Sequence, residues 1–344
     1  MSRLLRTLSG LLVATVMTGL LLPVPAAGQT AAAKVESPRT ARGAAWTHPR
    51  TPWGDPDLQA IWNNTVLNAV PLERQDQAAL AEQRRRASSP AARRAAGLGY
   101  DSNIWGEGVR AARADRPDLT HLIVDPPDGK LPPLTPAAQK RADARTESRR
   151  GLSLDEPRPG AWTEDITLWV RCISRGLPDA IFPRLYNNNY QILQIPGYVV
   201  ILYEMIHDAR IIPVDGRPHL PSTVRQWMGD SRGRWEGTTL VVETTNFIGN
   251  EFSLIPHGGG GNGTYLGSGP SLRLVERFTR LGATTMDYRF TLDDPELYAR
   301  PWTAAIPLTT VGSPTSILEY ACHEGNHSIV NILSGAAARD KASP

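Results

Sequence analysis

Tyr190-Gln191-Ile192-Leu193-Gln194-Ile195-Pro196-Gly197-Tyr198-Val199-Val200-Ile201-Leu202-Tyr203 decides the fold class. Two runs rich in apolar, β-branched and aromatic residues flank Pro196-Gly197, a turn dipeptide, and this order predicts a β-hairpin. The second run is expected to reach Ile206, with a tight reversal at His207-Asp208 before a third strand over Ala209–Val214. Period-two patterning continues C-terminally over Thr223–Met228, Arg234–Glu236 and Thr239–Phe247, with Gly229–Gly233 as a hairpin loop. It resumes over Leu272–Arg280, Thr284–Leu292, Trp302–Leu308 and Ser316–Ala321. About ten strands on short connections leave no room for crossover helices. The expectation is a mainly β protein, an antiparallel barrel of the calycin (lipocalin-like) type over residues 166–338.

Residues 29–165 read differently, as a long arm with short helices and Pro-rich connectors that wraps the barrel. Helices are predicted over Leu72–Arg86 and over Pro136–Arg149, the second behind the cap-like Thr135. Residues 1–160 hold 22 basic and 16 acidic side chains, and residues 161–344 hold 15 and 18, so the two parts carry opposite net charge. The cluster Arg84-Arg85-Arg86 with Arg93-Arg94 lacks interleaved aromatic residues and reads as a solvated helix face. Over the whole chain, 37 Lys and Arg against 34 Asp and Glu argue against a nucleic-acid partner.

Residues 1–28 carry Arg3 and Arg6, an apolar run over Leu11–Leu22 and the small residues Ala26-Ala27-Gly28. That order predicts a secretory signal peptide and a periplasmic or extracellular address. The apolar run is too short to span a bilayer, so no transmembrane anchor is expected. Export permits a disulfide between Cys172 and Cys322, the two cysteines of the chain; two buried thiols are the alternative. The Gly-rich loop over Gly258–Gly269 lacks the strand-to-helix setting of a phosphate cradle.

Three constellations carry candidate chemistry. Glu204-Met205-Ile206-His207-Asp208-Ala209-Arg210 offers an imidazole beside a carboxylate at a chain reversal, the makings of a proton shuttle. Glu204 and Arg210 are placed to pair across that hairpin. Arg171-Cys172-Ile173-Ser174-Arg175, with Asn187-Asn188-Asn189-Tyr190, offers anion anchors and amides. His323-Glu324-Gly325-Asn326-His327 fits the H-E-x-x-H zinc motif, but Gly325 and Asn326 form helices poorly, and His and Glu are absent downstream. For each constellation the alternative is a polar turn or strand end without chemistry.

Thr51-Pro52-Trp53-Gly54-Asp55-Pro56-Asp57-Leu58-Gln59-Ala60-Ile61-Trp62, Arg225-Gln226-Trp227-Met228-Gly229-Asp230-Ser231-Arg232-Gly233-Arg234-Trp235-Glu236-Gly237 and Cys322-His323-Glu324-Gly325-Asn326 resemble the motifs of a family of exported bacterial proteins without an assigned activity. The resemblance implies export and carries no site residue. In the family pattern an aromatic residue stands where this chain has His327.

The expected function is binding of a small polar organic molecule, with cofactor-free acid/base chemistry of the lyase, isomerase or hydrolase kind. His207 is assigned as proton shuttle and Asp208 as its orienting carboxylate. His323 and Glu324 form a second acid/base pair, and Tyr190 is the donor to a developing oxyanion. Arg171, Arg175, Asn188 and Arg210 are the expected substrate contacts. The alternatives are a zinc-dependent hydrolase and a non-catalytic ligand- or carbohydrate-binding protein.

Overall fold

The structure, a computed structural model, describes residues 46–67, 70–76, 78, 119–152, 156–183, 187–248, 270–310 and 312–342. The expected signal peptide, most of the Leu72–Arg86 helix, both arginine clusters and the Gly258–Gly269 loop lie outside the described residues.

Ten strands form one antiparallel sheet: β1 (Ala60–Asn63), β2 (Ile123–Asp125), β3 (Asn189–Ile195), β4 (Tyr198–Tyr203), β5 (Ala209–Pro213), β6 (Asp230–Glu236), β7 (Thr239–Thr245), β8 (Arg273–Arg280), β9 (Thr285–Asp293) and β10 (Trp302–Thr309). The ladder order is β5-β4-β3-β1-β10-β9-β8-β7-β6, with β2 also paired to β10. Pro196-Gly197 closes the β3–β4 hairpin as the dipeptide implies, and Gly237-Thr238 makes the two-residue β6–β7 turn with Gly237 at φ 63°. The helix α1 (Pro136–Ser148) begins where Thr135 predicts, its Oγ1 accepting from the Ala138 amide at 3.1 Å.

One face of the sheet is the core. Along β10 the buried residues are Trp302, Ala304, Ile306 and Leu308; opposite them on β9 are Leu292, Phe290, Tyr288 and Met286. The pattern continues through Leu274 and Phe278 of β8 into Leu240 and Val242 of β7. Burying one such aromatic or aliphatic side chain contributes about 1.5–3 kcal/mol, which makes this alternation the principal source of stability.

The ladder path is open between β5 and β6: among the described residues no backbone pairing joins them. The two edges approach instead through side chains. A Cβ at Gly233 of β6 would lie 2.7 Å from Val214 Cγ1 and 3.0 Å from Ile212 Cγ2, so the approach depends on a residue with no side chain.

Two expected strands are not strands. Thr223–Met228 alternates, but Val224 and Trp227 are exposed and the Val224 amide turns back to the Pro221 carbonyl at 2.8 Å; Gln226 alone bridges Phe247. Ser316–Ala321 joins no strand of the sheet: Leu318 is exposed, and β10, the preceding strand, already has β9 on one side and β1 and β2 on the other. Gly229–Gly233, expected as a loop, is instead the start of β6 after Gly229. That glycine has φ 67°, and a Cβ there would meet the Thr245 carbonyl at 2.7 Å. The two strands that replace the missing pair, β1 and β2, come from the Pro-rich stretch before residue 165. They are short, and β1 sits between β3 and β10, a non-local placement that periodicity does not carry.

Candidate functional site

The β4–β5 connection is a five-residue reversal, Glu204–Asp208, longer than the two-residue turns of β3–β4 and β6–β7. The Tyr203 amide donates to the Asp208 carbonyl at 2.8 Å, and the intervening turn places the β-branched Ile206 at φ 63°. A β-branched residue in the left-handed region is strained by about 1–3 kcal/mol and persists only where its surroundings hold it. The His207 backbone lies in this turn. Glu204 is buried, and its Oε2 accepts from Asn189 Nδ2 at 2.7 Å and from the Asn189 amide at 3.3 Å. The expected Glu204–Arg210 pair does not form, because Glu204 turns toward the start of β3 while Arg210 points into the core.

Asp208 is half-buried, and its Oδ2 accepts from Ser174 Oγ at 3.0 Å. Ser174 Oγ in turn accepts from the Gly176 amide at 2.9 Å and lies 3.2 Å from Met228 Sδ. Beside it, Arg175 is buried in an ion pair with Asp179 at 3.1 Å, its guanidinium 4.5 Å above the Trp169 ring. Arg171 is half-buried and Asn188 is buried. Tyr190 is buried too; its hydroxyl donates to Asn64 Oδ1 at 3.4 Å, and its ring meets Tyr203 edge-on at 6.0 Å.

Cys172 and Cys322 form a disulfide, Cα to Cα 5.8 Å, which draws the third constellation to the second. Asn326 Nδ2 donates to the Val170 carbonyl at 3.3 Å. His323 and Glu324 are exposed beside this link. The helix α2 (His327–Ala342) starts only at His327, and His323 to Asn326 is a turn with Gly325 at φ 66°. The two imidazoles therefore do not share one helical face, the geometry that H-E-x-x-H zinc sites use. Among the described residues no group of three or more His, Cys, Asp or Glu is gathered as metal ligands are.

The three constellations form one connected neighbourhood. Asp208 bonds Ser174, Glu204 bonds Asn189, and Cys172 is joined to Cys322. Cys172, Asn187 and Ile206 are three of the four described non-glycine residues with positive φ, and all three lie on these segments.

Beneath it lies a buried polar network that sequence reasoning did not assemble. Arg210 Nη1 donates to Tyr203 Oη at 2.9 Å and to Glu276 Oε1 at 3.1 Å. Its Nη2 donates to Glu276 Oε2 at 2.6 Å, Ser231 Oγ at 3.0 Å and Thr244 Oγ1 at 3.1 Å. Tyr288 Oη donates to Glu276 Oε1 at 3.0 Å. Burial opposes the guanidinium charge, but Glu276 and Tyr203 outweigh it and hold Arg210 ionised beyond its ordinary range. The sequence signal for Glu276 is its parity: it alternates with the inward-facing Leu274 and Phe278 on β8.

Burial raises the Tyr203 phenol well above its ordinary 10.0, the nearby Glu276 adding to the effect that Arg210 partly offsets; burial and Glu276 raise Tyr288 likewise, and burial and Asp294 raise Tyr298. In the unfolded chain these phenols ionise near 10.0, so above that pH the unfolded state loses protons first. The stability they contribute is therefore complete below about pH 10 and is lost as pH rises toward the folded-state values. Urea midpoints measured from pH 8 to 11.5 are expected to hold and then fall above about pH 10, with Tyr203→Phe reducing the slope. A flat profile refutes the burial account.

No family model matches the chain, and neither a curated protein nor a solved structure matches it. No helix among the described residues is long and apolar enough to cross a membrane.

Proposed function

We propose that this is an exported protein, akin to the bacterial family its motifs resemble, that binds a small polar organic molecule at the β4–β5 end of its sheet and processes it by acid/base chemistry. One observation carries the reading. Segments 172–176, 187–190, 204–208 and 322–326, far apart in sequence, are tied together by buried or half-buried polar bonds and a disulfide, and strained backbone is concentrated on them. Such strain clusters at ligand sites because selection holds it there against its cost. Asp208 is the orienting carboxylate, with His207 as proton carrier. His323 and Glu324 supply a second acid/base pair from the solvent side, and Arg171 is the anion anchor. Tyr190 and Asn188 are the buried donors. Arg210 and Arg175, both engaged by carboxylates, position the site from below. The convergence of β5 and β6 through side chains supports a calycin-like, barrel-shaped enclosure. The disulfide supports an oxidising address outside the cytoplasm.

Thermal-shift screening of the mature protein against glycosides, phenolic acids and hydroxy acids tests this. A ligand at 100 times its Kd stabilises the fold by about 2.7 kcal/mol, a readily measured rise in Tm. The expected result is at least one stabilising compound whose shift is reduced or lost in both Asp208→Asn and His323→Gln, with mass spectrometry finding a converted product. Hits that bind both variants as tightly as the parent, without conversion, overturn the site assignment and the chemistry together.

A further inference from the structure

The C-terminal segment is fastened to the molecule in an unusual way. Between Gly312 and Ala342 one residue, Ala336, is buried, and Leu318 is 73% exposed. Among the described residues no strand occurs after β10, and residues 314–326 have no helix either. Its polar ties include Ser313 Oγ to Asn63 Nδ2 at 2.9 Å, Asn326 to the Val170 carbonyl, Arg339 to Glu156 and to the Pro157 carbonyl, and Asp340 to the Gly160 amide. These are polar bonds at or near the surface, each a modest net contribution once exchange with water is counted. The covalent Cys172–Cys322 link is the dominant fastener, and it is set two residues from Ser174.

We infer that Cys172–Cys322 is a redox latch: a dithiol reductant opens it and frees residues 314–342 from the segment that carries Ser174, while the sheet stays folded. The inference rests on the packing of the C-terminal segment and does not require the acid/base reading. The sulfurs are not equivalent. Cys322 is half-buried and Cys172 is 7% exposed. Asn326 Nδ2 points at Cys172 Sγ from 3.4 Å, an N–H donor already in place for a thiolate there. In the exchange, a reductant thiolate attacks Cys322 Sγ, the S–S bond breaks, and Cys172 leaves with the electron pair as a thiolate. The reductant's second thiol then displaces Cys322 from the mixed disulfide, forming the reductant's own disulfide. The two protons of the dithiol end on Cys172 and Cys322, and two electrons have passed to them.

Hydrogen exchange by mass spectrometry on the full mature chain, oxidised and after dithiothreitol, tests the latch. Peptides covering 314–342 and 170–176 are expected to exchange about tenfold faster or more after reduction, with β7–β9 unchanged, and reoxidation should restore the original pattern. Asn326→Ala is expected to slow reduction several-fold, because its Cys172 is the poorer leaving group. Resistance to dithiothreitol in the native state overturns the inference, and so does unchanged protection of 314–342 after reduction. Simultaneous loss of protection in β7–β9 overturns it too, since the bond is then a cross-link the whole fold requires. An unaltered reduction rate in Asn326→Ala removes Cys172 as the leaving sulfur.

Discussion

Glu276→Gln is expected to lower the stability of the fold by about 3–5 kcal/mol, and Arg210→Met by a comparable amount. The reason is asymmetry. The pair sits inside the sheet with both side chains almost fully buried, so removing one partner leaves the other charge, or its hydrogen-bonding groups, without compensation. Gln keeps the shape of Glu276, which isolates the charge as the cause. In the Arg210→Met/Glu276→Leu double variant no charge is stranded. The hydroxyls of Tyr203 and Tyr288 still lose partners there, while Ser231 and Thr244 keep each other at 2.9 Å. The double variant is therefore expected to be less destabilised than the sum of its own two singles, Arg210→Met and Glu276→Leu, with a coupling of about 2–3 kcal/mol. Urea unfolding at low and high salt provides the measurement, and the coupling should be insensitive to salt because the pair is shielded from solvent. Additive single effects would show that Arg210 and Glu276 act independently. Charge reversal at the solvated pair Arg300–Asp125 serves as the contrast: both side chains are half exposed there, and little change is expected.

The part of this network that was legible in the sequence and the part that was not differ for a physical reason. Alternation along one strand is a local property, so β3, β5, β7, β8, β9 and β10 can be read to within a residue or two at each end, and Thr135 announces α1; β4 ends at Tyr203, three residues short of the expected Ile206, because the chain turns there. Partner choice is not local. Glu204 lies six residues from Arg210, and a hairpin would bring them together, yet Arg210 bonds a glutamate 66 positions away because its strand parity faces the core. The same parity on β8 marks Glu276, provided one asks why an acidic residue alternates with Leu274 and Phe278. Gly229–Gly233 misleads for a related reason. Gly-Asp-Ser-Arg-Gly has turn composition, but its polar side chains are satisfied by tertiary partners. Asp230 meets His219, the Leu220 amide and Arg232, and Ser231 meets Arg210. The candidate site was legible as three separate groups of chemically apt residues. Their adjacency was not, because a 150-residue disulfide span and the Ser174–Asp208 bond leave no periodic trace.

Two tryptophans allow the interior to be tested at the level of one hydrogen bond. Trp62 and Trp302 are each fully buried, and truncation of either to Ala is expected to cost about 3–5 kcal/mol. Their indole N–H groups differ. Trp62 Nε1 donates to the Leu58 carbonyl at 2.9 Å, and Arg280 lies 5.4 Å from its ring; Trp302 Nε1 is buried without a partner among the described residues. Replacement by Phe removes a satisfied donor at position 62 and strands the Leu58 carbonyl, a loss of about 1–3 kcal/mol beyond the change in ring volume. At position 302 it removes a desolvated donor that gains nothing in the folded state, while the Phe ring retains the edge-on contacts with Phe290 and Tyr298. Trp62→Phe is therefore expected to be more destabilising than Trp302→Phe by at least about 1 kcal/mol, although the two Ala variants are similar. Denaturant midpoints at equal m-values decide it. The opposite order of the Phe variants would mean that Trp302 Nε1 has an acceptor in solution, such as an ordered internal water, and that the core at β10 is wetter than its apolar lining implies.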